Sequence, residues 1–286
     1  MIEALIFIAL FFSFPIYGKE EDKPRCNVGN FALPPSQQPS PLIGFGENII
    51  DRNQVQVFLF GDDYLGKDKH FVDLMPGILY GITNQFSVFF NIPVAVTYKS
   101  DESHSSGLED LFLQFEYAVY TRISSCSSDQ ATIVVNASFP TGSSRKNPPT
   151  GFGAVGYFIG ASYNRTWENW FCFTSYGAEL PMSHHGTQFG NQFQYQFGFG
   201  RNITNTKGWM FAWMAEIDGT FSTRNHIHGS IDPNSGGNVI YLTPSLWISS
   251  KNSILQLGVG YAIEQNLFGQ QTQDKYLFAF NFGRMF

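Results

Sequence analysis

Residues 225–230 read NHIHGS, which sets His228 two residues before Ser230, with Asp232 close behind. An imidazole beside a hydroxyl is the pairing in which a base turns serine into an acyl nucleophile. A second set of candidates is acidic and amidic. Asp73, Asp110, Gln114, Glu116, Glu179, Glu216, Asp218, Gln256, Glu264 and Asn281 fall on the less bulky face of segments whose other face is large and apolar. Carboxylates gathered on one face of a sheet concentrate cations and repel anions. A third set is His184, His185, His226 and His228. Neighbouring histidines in Gly- and Asn-rich stretches lack a specific ligand spacing, so no metal and no cofactor is expected.

What positions these residues is clearest at the end of the chain. In YLFAFNFGRMF, Tyr276, Phe278, Phe280 and Phe282 alternate with Leu277, Ala279, Asn281 and Gly283, and the sequence stops at Phe286. Period-two alternation is the mark of a strand with two unlike faces. A water-soluble sheet would need a second layer over the aromatic face, whereas in a transmembrane β-barrel that face meets lipid and the small or polar one lines the lumen. The stretch resembles the C-terminal signal of bacterial outer-membrane barrels, through which barrel-assembly machinery would be the partner; Arg284 departs from it.

Composition agrees. Of 286 residues, 17% are aromatic and 14% charged, against roughly 25% charged in soluble domains. The mean hydropathy of −0.12 excludes a helical membrane protein but not a barrel, where outward apolar and inward polar residues average out. The net charge of −6 argues against a nucleic-acid partner. Residues 1–18 read as a secretory signal peptide, with an apolar run from Ala4 to Phe14 too short to span a bilayer, although Glu3 and the lack of a basic residue before the run are departures. Residues 19–50, rich in Pro, Gln and Gly, predict an extended segment across or inside the periplasmic mouth.

From Gln54 onward the alternation predicts twelve strands, near 54–61, 70–82, 86–98, 108–121, 131–140, 154–164, 169–180, 191–202, 209–220, 239–249, 253–264 and 275–286. Most have the length of about 9–11 residues that a tilted strand needs to cross a bilayer. Mostly short links alternate with longer, Gly-, Ser-, Asn- and Asp-rich ones, as periplasmic turns do with extracellular loops, so both termini fall in the periplasm. The expected fold is all-β: a single antiparallel transmembrane barrel over 51–286 in the outer membrane of a Gram-negative cell, with outer-membrane lipids around it. Trp167, Trp170, Trp209 and Trp247 fall at periplasmic strand ends, where an interfacial aromatic girdle belongs. All seventeen Lys and Arg precede the first strand, lie in connections or sit near strand ends. Cys26 and Cys126 share the periplasmic side, where oxidation is allowed; Cys172 reads as a small filler.

YGITNQFSVFFNIPV (Tyr80–Val94), GLEDLFLQFEYAVY (Gly107–Tyr120), FPTG (Phe139–Gly142), GFG (Gly151–Gly153) and the closing strand occur in that order. Together they resemble the outer-membrane transporters named after the meta-pathway of phenol degradation, over about residues 50–286. The resemblance implies a channel-like barrel passing small, aromatic compounds, with no catalytic residues to carry over.

Passive passage of small solutes is therefore the leading expectation, and no enzymatic activity, with Asp110, Gln114, Glu116, Glu216 and Asp218 lining the path. Asp73, Asp110, Glu179, Asp218 and Glu264 should lie near the extracellular mouth, as solvated rim or as filter, with Glu116 and Glu216 deeper. Met75, Phe112, Tyr120 and Met214 on inner faces would form an apolar track or fill a narrow barrel. Two alternatives remain. His228 and Ser230 resemble the pair of an outer-membrane phospholipase, though here in a loop without the fixed geometry that mechanism needs. A surface structural protein or adhesin is the other, although none of the six outer loops is long enough to form a domain.

Overall fold

The computed structural model describes residues 16–17, 26–46, 49–100 and 102–286. Twelve antiparallel strands, each hydrogen-bonded to its neighbours in sequence, form one closed sheet. In chain order they are β1 (Val55–Gly66), β2 (Lys69–Thr83), β3 (Phe86–Asn91 with Val94–Ser100), β4 (Ser103–Leu108 with Leu111–Ile123), β5 (Ser127–Phe139), β6 (Gly156–Trp167), β7 (Trp170–Pro181), β8 (Gln192–Thr206), β9 (Trp209–Ser222), β10 (Gly237–Ser249), β11 (Ser253–Leu267) and β12 (Asp274–Met285). β12 pairs with β1, for example Asn281 with Phe60, and this closes the barrel. Closure leaves no unpaired edge, as backbone in lipid requires.

The alternation read from sequence becomes a skin and a lining. Ile159, Tyr176, Phe197, Leu246, Tyr261 and Phe278 stand on the outside. Positions between them, such as Ser175, Glu216, Thr243 and Gln256, are fully buried. Several strands run further than predicted. β1 reaches Gly66 because Tyr64 and Leu65 find partners in Phe71 and His70, leaving only Lys67 and Asp68, the latter at φ 60°, for the turn. Local polarity in DDYLGKDK hides pairing that only the cross-strand partner reveals.

Where β3 and β4 are interrupted, proline is the cause. Pro93 has no N–H to give the ladder, and Glu109 N bonds Pro93 O across the gap at 3.0 Å. On the extracellular side Thr187–Gln188 of the loop after β7 joins His226–Ile227 and Ser230–Ile231 of the loop after β9 in a small three-stranded sheet that ties the two loops together.

Parity corrects three expectations. Trp247 is 1% exposed and points inward, into a cluster with Phe171, Phe173, Met214 and Ile254; Trp167, Trp170 and Trp209 are on the outside. β10 is bulky on both faces, so size alone could not orient it. Glu264 is exposed, not lumenal, because a bulge makes Ile240 oppose Glu264 while Tyr241 opposes Ala262, flipping the strand end. A register shift between Ala118 and Tyr120 does the same in β4, so that Val119, Thr121 and Ile123 line the interior and Tyr120 does not. The expected signal segment, 1–18, lies outside the described residues except for Ile16 and Tyr17, which run parallel to Tyr120 and Thr121.

Candidate functional site

The interior is occupied by the chain's own residues 26–46. Cys26 is disulfide-bonded to Cys126 in the periplasmic turn between β4 and β5, with Cα atoms 5.1 Å apart. Asn30 is fully buried and its amide donates to the carbonyls of Trp167 (3.0 Å) and Trp170 (3.2 Å), around the β6–β7 turn. Apart from two short 3-10 turns, Gly29–Ala32 and Pro35–Gln37, the segment has no secondary structure of its own. Its backbone groups must therefore be met by the wall. The climb can be followed bond by bond: Ser249 Oγ donates to Gln37 O (2.8 Å), Gln256 Nε2 to Ser40 O (3.2 Å), Gln196 Nε2 to Ile43 O (3.4 Å) and Ser162 Oγ to Gly46 O (2.7 Å). The chain then returns to the periplasmic end, where Ile50 N donates to Ser87 Oγ at 3.2 Å.

At mid-barrel the anchor is Glu216 on β9. Its carboxylate accepts three successive backbone amides, Leu42 N at 2.8 Å on one oxygen and Ile43 N at 3.2 Å and Gly44 N at 3.4 Å on the other. The wall is shaped to match. Phe45 packs edge-on against Phe158, ring centroids 4.8 Å apart, in a niche where a Cβ on Gly160 would meet the Phe45 ring at 2.6 Å.

Beside this segment a cavity of about 1690 Å³ runs from residues of the periplasmic end, such as Ser124 and Ser125, to residues of the outer end, such as Gly190 and Gln271. One wall is aromatic. Phe58, Phe60, Phe89 and Phe112 line it on β1, β3 and β4, with Phe58 stacked on Phe60 (5.2 Å) and Phe89 edge-on to Phe112 (5.9 Å). Met75 and Phe112 of the expected apolar track are there; Met214 is inside the buried cluster instead.

The candidate acids fare differently from one another. Gln114 and Asp218 line the cavity. Glu116 is fully buried and accepts from Gln114 Nε2 at 2.6 Å. Glu216 is spent on the inner segment. Asp110 sits in the break of β4 and accepts Gly142 N (2.9 Å) and Phe152 N (2.7 Å), so it pins the loop between β5 and β6. Sequence reasoning missed Asp62, Tyr64, Tyr98 and Tyr241, which also line the cavity. Asp62 fell in a predicted loop, where parity was not applied; extending β1 would have found it opposite Asp73.

His228 and Ser230 are exposed in the small extracellular sheet, with His228 at φ 50° in its turn. Among the described residues no hydrogen bond joins them. The His184 and His185 rings meet edge to face, centroids 4.0 Å apart. The one grouping with metal-ligand spacing among the described residues, Cys26, Cys126 and Glu168, has its cysteines joined as a disulfide, which leaves no thiolate.

No family model and no curated protein matches the sequence. Solved structures do. The COG4313 outer membrane channel from Pseudomonas putida F1 superposes with a TM-score of 0.68 at 13% identity, over 85% of this chain and all (100%) of that one. A NanC porin gives 0.47 at 10% identity over 80% and 98%, and the CymD monoaromatic hydrocarbon channel 0.39 at 9% over 86% and 94%. The first likeness establishes the fold: this chain is built as a bacterial outer-membrane β-barrel.

Proposed function

We propose that the protein is an outer-membrane channel for passive passage of small solutes, with a path that runs beside the inner segment and not through an empty bore. The observation that carries this is the 1690 Å³ cavity whose lining includes residues of both ends of the barrel. Its chemistry is mixed. The Phe58, Phe60, Phe89 and Phe112 wall suits apolar or aromatic bodies, in keeping with the resemblance to transporters of the phenol meta-pathway. Gln114 and Asp218 face the same space, and Lys69 is the one basic side chain among its described lining residues. That balance favours cations and neutral molecules over anions. Glu216 contributes by holding the inner segment in place, and Asp110 by fixing the loop between β5 and β6.

Liposome swelling tests the reading. Proteoliposomes should admit small neutral solutes such as glycerol and phenol faster than protein-free vesicles. Swelling no faster than in protein-free vesicles, with a barrel shown to be folded, would refute passage. The phospholipase alternative has a simple check: a Ser230→Ala variant should behave as the parent in acyl-ester hydrolysis, because the exposed pair has no organised geometry.

A further inference from the structure

On the lipid-facing side of β6–β9, at their periplasmic ends, two arginines are laid on tryptophan rings. The Arg201 guanidinium lies 5.0 Å from the centre of the Trp170 ring, and that of Arg165 lies 5.1 Å from the centre of the Trp167 ring. Both tryptophans stand on the outer surface. Across the sheet Arg201 is opposite Trp170 on one side and Trp213 on the other. Trp170 in turn stacks on Phe199, centroids 4.9 Å apart, and meets Trp213 edge to face at 6.4 Å. Ring faces attract a cation and hold a long side chain in one place. Here that place is the membrane–water interface, the level of the lipid head groups.

The two arginines flank a single strand. Arg165 on β6 is opposite Cys172 of β7, and Arg201 on β8 is opposite Trp170 of the same β7. Only β7 separates β6 from β8, so their backbones are about 10 Å apart, room for a phosphodiester group between the two guanidinium groups. Toward mid-membrane the outer face of β7 presents Cys172 and then Thr174, both narrow. Their neighbours are bulky: Arg165 and Phe199 beside Cys172, Tyr163 and Phe197 beside Thr174. Tyr163, Phe197 and Phe199 are all exposed. A shallow trough with aromatic walls therefore leads from the hydrocarbon layer to the arginine pair.

Charge favours an anion there. Arg165 is engaged through Nε by Asp129 at 3.4 Å, and Asp129 also accepts from the Tyr163 hydroxyl at 2.7 Å. Arg201 has no carboxylate bonded to it among the described residues. Glu168 in the β6–β7 turn is balanced by Lys207 in the turn after β8, both exposed. The patch keeps a positive surplus.

We propose that this patch binds an anionic phospholipid of the periplasmic leaflet, its phosphate between Arg165 and Arg201 and one acyl chain along Cys172 and Thr174. A zwitterionic phospholipid would bring its own ammonium up to the arginines and fits less well. The inference is independent of the channel reading, since it concerns the outer surface of the wall.

Native mass spectrometry of the full protein released from detergent micelles tests it. The probes are equimolar phosphatidylglycerol and phosphatidylethanolamine with the same acyl chains, and glycerol phosphate as the free head group. A phosphatidylglycerol adduct should exceed the phosphatidylethanolamine adduct by at least about fivefold, the value of one cation near an anionic lipid. Arg201→Gln should lower the phosphatidylglycerol adduct about fivefold, and Arg165→Gln with Arg201→Gln should bring the two lipids level, while Arg201→Lys keeps the preference. Cys172→Phe, which fills the trough, should lower both adducts and leave their ratio alone. Heat-modified gel mobility confirms that each variant is folded. Equal adducts of the two lipids in the parent, a double variant that keeps the preference, or no lipid adduct at all would each overturn the site. Displacement of the lipid by glycerol phosphate at equal concentration would overturn it too, because the patch would then belong to a soluble anion.

Discussion

Glu216 and Asp218 stand two residues apart on the same face of β9, both buried, with no basic side chain bonded to them among the described residues. Glu216 is met by three amides of the inner segment, whereas Asp218 is met by no well-formed hydrogen bond and opens on the cavity. The same chemistry therefore stands in two settings in the barrel, one holding the chain's own backbone and one facing the cavity. The difference is made by what lies opposite. Glu216 is flanked by Gly198 and Thr243 on the neighbouring strands, and Asp218 by Gln196 and Tyr241.

The largest disturbance of that contrast is to remove the inner segment. Deleting residues 26–46 should raise bilayer conductance severalfold, because the segment occupies the lumen from the periplasmic end to mid-barrel; unaltered conductance would mean that it does not set the path. Next comes Glu216→Ala. Leaving a buried donor unsatisfied costs about 1–3 kcal/mol, so three amides losing their acceptor should weaken docking by roughly 3–9 kcal/mol in all, seen as frequent switching to a higher-conductance level. Asp218→Ala, which releases no amide, should leave that gating quiet, and if both variants flicker alike the distinction fails.

Cys26→Ser probes the periplasmic tether. A disulfide closing a span of 100 residues contributes about 2–4 kcal/mol by restricting the unfolded chain. Thermal unfolding of the variant should fall accordingly, and reductant should lower the parent to the same point. The smallest effect is expected at Gly160→Val. Filling the niche beneath Phe45 should cost about 1–3 kcal/mol as overpacking does, readable as lower thermal stability.

The twelve strands were legible because lipid outside and a crowded lumen inside impose one period over the whole chain. Tyr276 to Phe282 shows this at its plainest, and the closed sheet follows it. Legibility failed where a single residue shifts the phase. Glu264 and Tyr120 lie beyond register shifts that periodicity cannot see, and Trp247 lies on a strand with two bulky faces. The inner segment was harder. Pro, Gln and Gly in residues 19–50 announce the absence of helix or strand, but nothing local says which wall residue will accept the amides of Leu42, Ile43 and Gly44. Glu216 was recognisable as an inward acid; its partner, 174 residues earlier for Leu42, was not.

The most direct test of the central claim, a solute path beside an ordered inner segment under an acidic wall, is the reversal potential of the purified protein in a planar bilayer under a salt gradient. Steady conductance with a cation-biased reversal potential is the predicted result, diminished in Asp218→Asn. A folded barrel that is silent, or one whose reversal potential is anion-biased, would contradict it.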